Sequence, residues 1–147
     1  RNLCRCRNVE ILPYALGTEN KPITMANDSA RETGYFGTGQ NFVNDSGAAA
    51  AAQFSAQMRR GSELFAGLER LDFVKCDIEG YEVVVLTELR PLLERFRPTV
   101  LVETGGGNRP RIVELFTALG YKAFTLERGR EIPLTAASTK DIIFRPQ

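Results

Sequence analysis

The sequence predicts an α/β domain built on a mostly parallel sheet, and three observations predict it. Strand formers cluster at 73–78, 99–104 and 121–126. The stretches between them place apolar residues at intervals of three and four, the period of a helix lying on a sheet. The chain then closes on two strands with no helix between them. Strands alternating with helices form parallel pairs covered on both faces, and the closing two form an antiparallel hairpin at one edge.

The totals fit one such domain. With 147 residues, 43% hydrophobic, 25% charged and a net charge of +1, the chain suits a single soluble domain with a sizeable core. A balance this even, without basic runs, argues against a nucleic-acid partner. No apolar stretch approaches the roughly 20 residues that span a bilayer, and no signal peptide is evident, so the expected location is cytoplasmic, away from membranes. The oligomeric state is not legible. The chain opens at Arg1 without a methionine, in what reads as the end of a helix, and is expected to be a fragment.

Taken in order, Arg1–Arg7 reads as a last helical turn, with cations favoured by the helix dipole. Val9–Leu16 is a strand candidate in which Pro13 marks a sheet edge or an end. Gly17–Pro22 is turn chemistry, and Ile23–Met25 a short returning strand. From Ala26 to Gly47 the chain is a long polar loop, functional or disordered, whose Tyr35, Phe36 and Phe42 read as a small satellite cluster rather than a substrate wall. Asp45 or Ser46 caps a helix through Ala48–Ala52 to Met58, packed by Phe54 and Met58 at i, i+4. Ser62–Leu68 is a second helical piece.

After the strand at 73–78, Val83, Val84, Leu86, Leu89, Leu92, Leu93 and Phe96 define a helix, kinked or restarted at Pro91 and ended by Arg97-Pro98. Thr99–Thr104 is a strand, Gly105–Pro110 a glycine loop, and Arg111–Leu119 a helix stopped by Gly120. Tyr121–Leu126, a turn at Glu127–Arg130 and a strand at Lys140–Arg145 complete the chain.

Chemistry concentrates at Leu71–Glu82 (LDFVKCDIEGYE), a strand that delivers Asp77 and Glu79 to a loop. Ligands of open parallel sheets bind beyond the carboxyl ends of the strands. Glu103 ends the next strand, about 4.8 Å away if the two are neighbours. Such carboxylates hold a divalent cation, act as a general base with a raised pKa, or bind a cationic group. The plainer reading pairs Asp77 with Lys75 or an arginine and leaves Glu79 to cap the following helix. Histidine is absent, which removes Ser-His-Asp, Cys-His and His-ligated metal chemistry. Cys4, Cys6 and Cys76 lack the partners of a zinc site and read as reduced thiols. Gly105-Gly106-Gly107 has neither P-loop nor dinucleotide spacing and reads as a flexible connector rather than an anion cradle.

LDFVKCDIEGYEVVVL, then RPTVLVET, a helix ending in ALGY and a closing STKDIIF resemble the FkbM-type family of S-adenosylmethionine-dependent methyltransferases. The matched order covers Leu71 to Phe144, and VEILPYALG resembles the preceding family strand. The resemblance implies a Rossmann-like class I methyltransferase fold whose last strand is inserted antiparallel. It implies that Asp77, Glu79 and Gly80 line the cofactor and acceptor crevice and that Glu103 faces it. It also implies that Glu82 orients the loop and that Ala15 and Leu16 lie near the adenine. The catalytic set it suggests is Asp77, Glu103 and Glu79; the cofactor set is Ala15, Leu16, Asp77 and Gly80, with S-adenosylmethionine as cofactor and a divalent cation optional. The family's opening strand and glycine-rich turn are not found before Val9. The chain is therefore expected to be a single partial domain, 1–147, lacking the first strands of its sheet and carrying an irregular insertion at 18–68.

The expected function is O-directed methyl transfer to a small-molecule or saccharide acceptor. The alternatives are a non-catalytic remnant serving as an interaction module, and an α/β enzyme that holds phosphate on the Gly105 loop.

Overall fold

The computed structural model describes residues 7–29, 31, 34, 41–44, 46–47, 49–105, 107–135 and 141–147. Two sheets carry the fold. The smaller contains β1 (Ala15–Gly17), β2 (Lys21–Asn27), β3 (Asn41–Val43) and β4 (Ala52–Arg60), in the order β1-β4-β2-β3. The larger contains β5 (Phe73–Cys76), β6 (Thr99–Glu103), β7 (Tyr121–Glu127), β8 (Arg130–Pro133) and β9 (Asp141–Pro146), in the order β5-β6-β9-β7-β8. The helices are α1 (Gly61–Leu64), α2 (Glu82–Glu88), α3 (Arg90–Phe96) and α4 (Arg109–Ala118). None is long and apolar enough to cross a membrane.

Alternation along β5 and β6 sends Val74, Cys76, Val100 and Val102 to one face of the larger sheet, joined there by Ile142 and Phe144. Leu86 of α2, Leu93 of α3 and Ile112 and Phe116 of α4 close over them, all with no exposed surface. Each such side chain contributes about 1.5–3 kcal/mol on burial. Residues adjacent to these in the α2–α3 segment, Val85, Leu89 and Leu92, form a second cluster with Leu16, Phe65, Tyr81 and Phe96. The α2–α3 segment thus touches both sheets, packing on the larger through one stripe and on β1 through the other.

The segment from β5 to β7 follows the expected order. Pro91 lies in the first turn of α3, where its missing N–H costs nothing, and Arg97 ends that helix in a left-handed conformation. Gly120, with φ +73°, makes the turn after α4.

Several expectations are corrected. The larger sheet is mixed rather than mostly parallel: β5 and β6 pair parallel, whereas β6–β9, β9–β7 and β7–β8 pair antiparallel. The last strand does not form an edge hairpin; β9 inserts between β6 and β7, antiparallel to both. The edge belongs to β8, which was not anticipated. Its hairpin turns on Arg128 and Gly129, with φ of 49° and 77°, the positive pair that a two-residue turn between twisted strands requires. The sheet is also not covered on both faces among the described residues. Phe73 and Leu126 point away from the helices and are 55% and 53% exposed.

The alanine-rich helix to Met58 is instead strand β4, held between β1 and β2. A spacing of four fits both periods, and here Phe54, Ala56 and Met58 share one strand face. Pairing on both sides outweighs alanine's helix propensity. The Val9–Leu16 strand shrinks to Ala15–Gly17, beginning after Pro13 and forming a sheet edge, while Val9 and Ile11 are exposed. The returning strand is longer than expected and pairs with β4, not β1. Expectations for Arg1–Cys6, Tyr35, Phe36, Asp45, Ala48, Gly106 and Lys140 fall outside the described residues.

Candidate active site

β5 delivers the acidic loop. Its inward residues end at Cys76, and the chain then leaves the ladder at Asp77. Because Cys76 pairs with Val102 in the parallel register, the next step on each strand sets Asp77 beside Glu103. Lys75 Nζ lies 2.6 Å from Asp77 Oδ2. The hydrogen bond from Lys75, and next that with the Glu103 side chain, hold the Asp77 carboxyl below its ordinary pKa. Lys75 is raised in turn, chiefly by its hydrogen bond to Asp77. The ion pair of the plainer reading is therefore present, between two groups that remain partly in solvent.

The loop after Asp77 reverses through Glu79 and Gly80, both left-handed, with φ of 54° and 96°. For Glu79 that conformation costs about 1–2 kcal/mol. Glu82 holds the reversal. The residue is 2% exposed, and its carboxylate accepts the N–H groups of Ile78 at 3.2 Å and Gly80 at 2.9 Å. Glu79 does not cap α2, whose N-cap is Tyr81 with no side-chain capping bond.

This loop borders a cleft of about 380 Å³ between the two sheets. Asp77, Ile78, Glu79 and Tyr81 form one wall, with Lys75 at its rim. Tyr14, Ala15 and Leu16 come from the β1 side, and Met25, Asn41, Phe42 and Val43 from β2 and β3. Val85, Leu86 and Leu89 of the α2 segment complete the lining. A volume in this range suits a small ligand, and the lining mixes apolar walls with a few charged groups.

Four of the expected site residues, Ala15, Leu16, Asp77 and Glu79, thus share one cleft. Glu103 and Gly80 do not line it: Glu103 meets Asp77 from the neighbouring strand, and Gly80 belongs to the reversal that Glu82 holds. Tyr14, Tyr81, Asn41 and Phe42 were not assigned to a site from the sequence. Phe42 is a cleft wall rather than a satellite contact, and its only signal was an aromatic ring in a polar stretch.

A family model described as the methyltransferase FkbM domain matches residues 2–123. The chain belongs to the FkbM methyltransferase domain family. The matched span includes 18–68, so the stretch read as an irregular insertion lies inside the family match. No curated protein and no solved structure matches the chain. In this FkbM domain the walls suit a cofactor with an aromatic base and a positive centre: Tyr14, Ala15, Leu16 and Phe42 are apolar or aromatic, and Asp77 and Glu79 are anionic. Among the described residues, no three of His, Cys, Asp and Glu gather closely enough to hold a metal ion. Lys75 already places its positive charge on the Asp77 carboxylate. Burial first, then the charges of Glu82 and Asp77, pushes the Cys76 thiol up to about 12, which leaves it without nucleophilic use at neutral pH.

Proposed function

We propose that this FkbM domain is an S-adenosylmethionine-dependent methyltransferase of class I architecture that methylates a hydroxyl of a small-molecule or saccharide acceptor. The observation that carries the reading is the convergence of Asp77 and Glu79 with Ala15 and Leu16 on one cleft. Ala15, Leu16 and Tyr14 would take the adenine, and Asp77 and Glu79 the hydroxyl or cationic groups. When bound, the cofactor supplies an electrophilic methyl group on a sulfonium.

The protein's own part is positioning and proton handling. An Asp77 carboxyl held below its ordinary pKa is a weak base toward a neutral hydroxyl. It can still accept a hydrogen bond that orients the acceptor oxygen. As that oxygen gains its new bond, its proton becomes strongly acidic, and Asp77 is then basic enough to receive it. Glu103, hydrogen-bonded to Asp77 from the neighbouring strand, helps hold that side chain as the carboxylate.

Calorimetric titration of the protein with S-adenosylmethionine, alongside Asp77→Asn, tests the reading. Binding by the wild type, with methyl transfer reduced about 100-fold or more in the variant, is expected. No detectable binding at millimolar ligand would overturn it and favour the second reading, a non-catalytic interaction module. The observation on that side is the sheet face that leaves Phe73 and Leu126 exposed.

A further inference from the structure

Asn108 stands immediately before α4, where an asparagine ordinarily caps its own helix, yet its side chain makes no capping bond. It turns instead to the acidic loop, 26 residues earlier in the chain. Nδ2 donates to Glu82 Oε2 at 2.9 Å and to the Gly80 carbonyl at 3.1 Å. Gly80 N–H in turn donates to Glu82 Oε1 at 2.9 Å. The three residues close a ring of hydrogen bonds in which Gly80 is gripped at both its N–H and its carbonyl. Both neighbours of the Asn108 amide are acceptors, so its NH₂ must face them, and an aspartate here would set carboxylate against carboxylate.

We propose that Asn108 is a positioning residue for the cleft. It fixes the Glu82 carboxylate, which fixes the Ile78 and Gly80 amides, and so sets the course of the segment carrying Asp77 and Glu79. Asn108 N–H also donates to the Gly105 carbonyl at 3.0 Å, a contact that helps bring Asn108 to Gly80. This inference rests on the cofactor-binding reading of the cleft given above.

Two measurements on Asn108→Ala test it, with Asn108→Asp and the pair Asn108→Asp/Glu82→Gln as further variants. Amide hydrogen exchange is expected to accelerate about 10-fold at Ile78 and Gly80 while β6 and β9 stay protected, and S-adenosylhomocysteine is expected to bind about 10-fold more weakly. Asn108→Asp is expected to bind more weakly still. The double variant is expected to recover part of that loss, because the amide introduced at position 82 can donate to the carboxylate introduced at position 108. Unchanged exchange at Ile78 and Gly80 overturns the ring. Faster exchange throughout the larger sheet shows a merely structural role and overturns the positioning claim. Wild-type binding with equal affinity in Asn108→Ala also overturns that claim and leaves the cofactor reading standing. No binding by the wild type overturns both.

Discussion

Lys75, on β5, and Asp77, the first residue beyond that strand, meet through a 2.6 Å contact between Nζ and Oδ2. The contact, with the hydrogen bond from the Glu103 side chain, keeps the Asp77 carboxylate charged. It also fixes the sign of the pair's pH dependence.

The Asp77 carboxyl lies below its ordinary pKa, so its stabilising contribution is present above the unfolded-chain value and is lost as pH falls through the folded one. Lys75 is raised, so its contribution is complete below its ordinary value and is lost as pH rises through the folded one. The pair is therefore intact between roughly pH 4 and pH 10. Lys75→Met removes the larger cause of the Asp77 shift. The Asp77 carboxyl pKa, followed by carbon-detected NMR titration, should move upward, and the acid limb of ligand binding should move with it. An unchanged Asp77 titration would show that Lys75 does not set its charge.

Cys76 should be inert. With its thiol pushed up to about 12, only about one molecule in ten thousand carries the thiolate at pH 8. In a Cys4→Ser/Cys6→Ser background, iodoacetamide should leave the folded protein unlabelled over a period in which the urea-unfolded chain labels fully. Rapid labelling of the folded form would contradict both the burial and the shift.

The part of the fold that was legible in the sequence is the part whose signals are local. From β5 to β7, apolar residues recur at helical intervals, and Pro91, Arg97-Pro98 and Gly120 mark the breaks. The register of β5 on β6, which sets Asp77 beside Glu103, follows from two short strands of similar length joined by helices. The smaller sheet was not legible because its pairing is between distant segments: Ala52 opposes Asn27, and Met58 opposes both Lys21 and Ala15. A residue spacing of four could not decide between helix and strand. The cleft wall at Phe42 depends on where β3 lands, and the Asn108–Glu82 bond spans a helix–strand crossover. Glu82 was legible only through the family resemblance, as a residue that orients the loop; its burial and its two amide bonds agree with that role.

Phe116 is one of the largest fully buried side chains of the larger core. Its ring stacks on Phe144 at 4.0 Å between centroids and meets Tyr121 edge-on at 5.2 Å, with no exposed surface. Phe116→Ala should cost about 3–5 kcal/mol in urea unfolding, a large share of the roughly 5–15 kcal/mol that holds a typical domain. Phe116→Leu, which keeps most of the volume, should cost markedly less. Equal losses in the two variants would mean that the ring contacts, not the cavity, carry the energy.

Gly17 is required for space, not for backbone freedom. Its φ is not left-handed, but a β-carbon there would press on Met58 Sδ and lie 2.7 Å from Cε and 2.9 Å from Cγ. Met58 is 2% exposed and cannot swing into solvent without opening the β1–β4 contact, so Gly17→Ala should destabilise by about 1–3 kcal/mol. Because β1 also carries Ala15 and Leu16 into the cleft, the same variant should weaken cofactor binding. Met58→Ala alone should cost about 2–5 kcal/mol through the cavity it leaves. Combined, the new methyl group occupies part of the vacated volume, and the double variant should be more stable than the sum of the single losses by about 1 kcal/mol or more. Strict additivity in urea unfolding would show that the two residues do not compete for one space, and the close packing of β1 on β4 would have to be abandoned as the reason for glycine at this position.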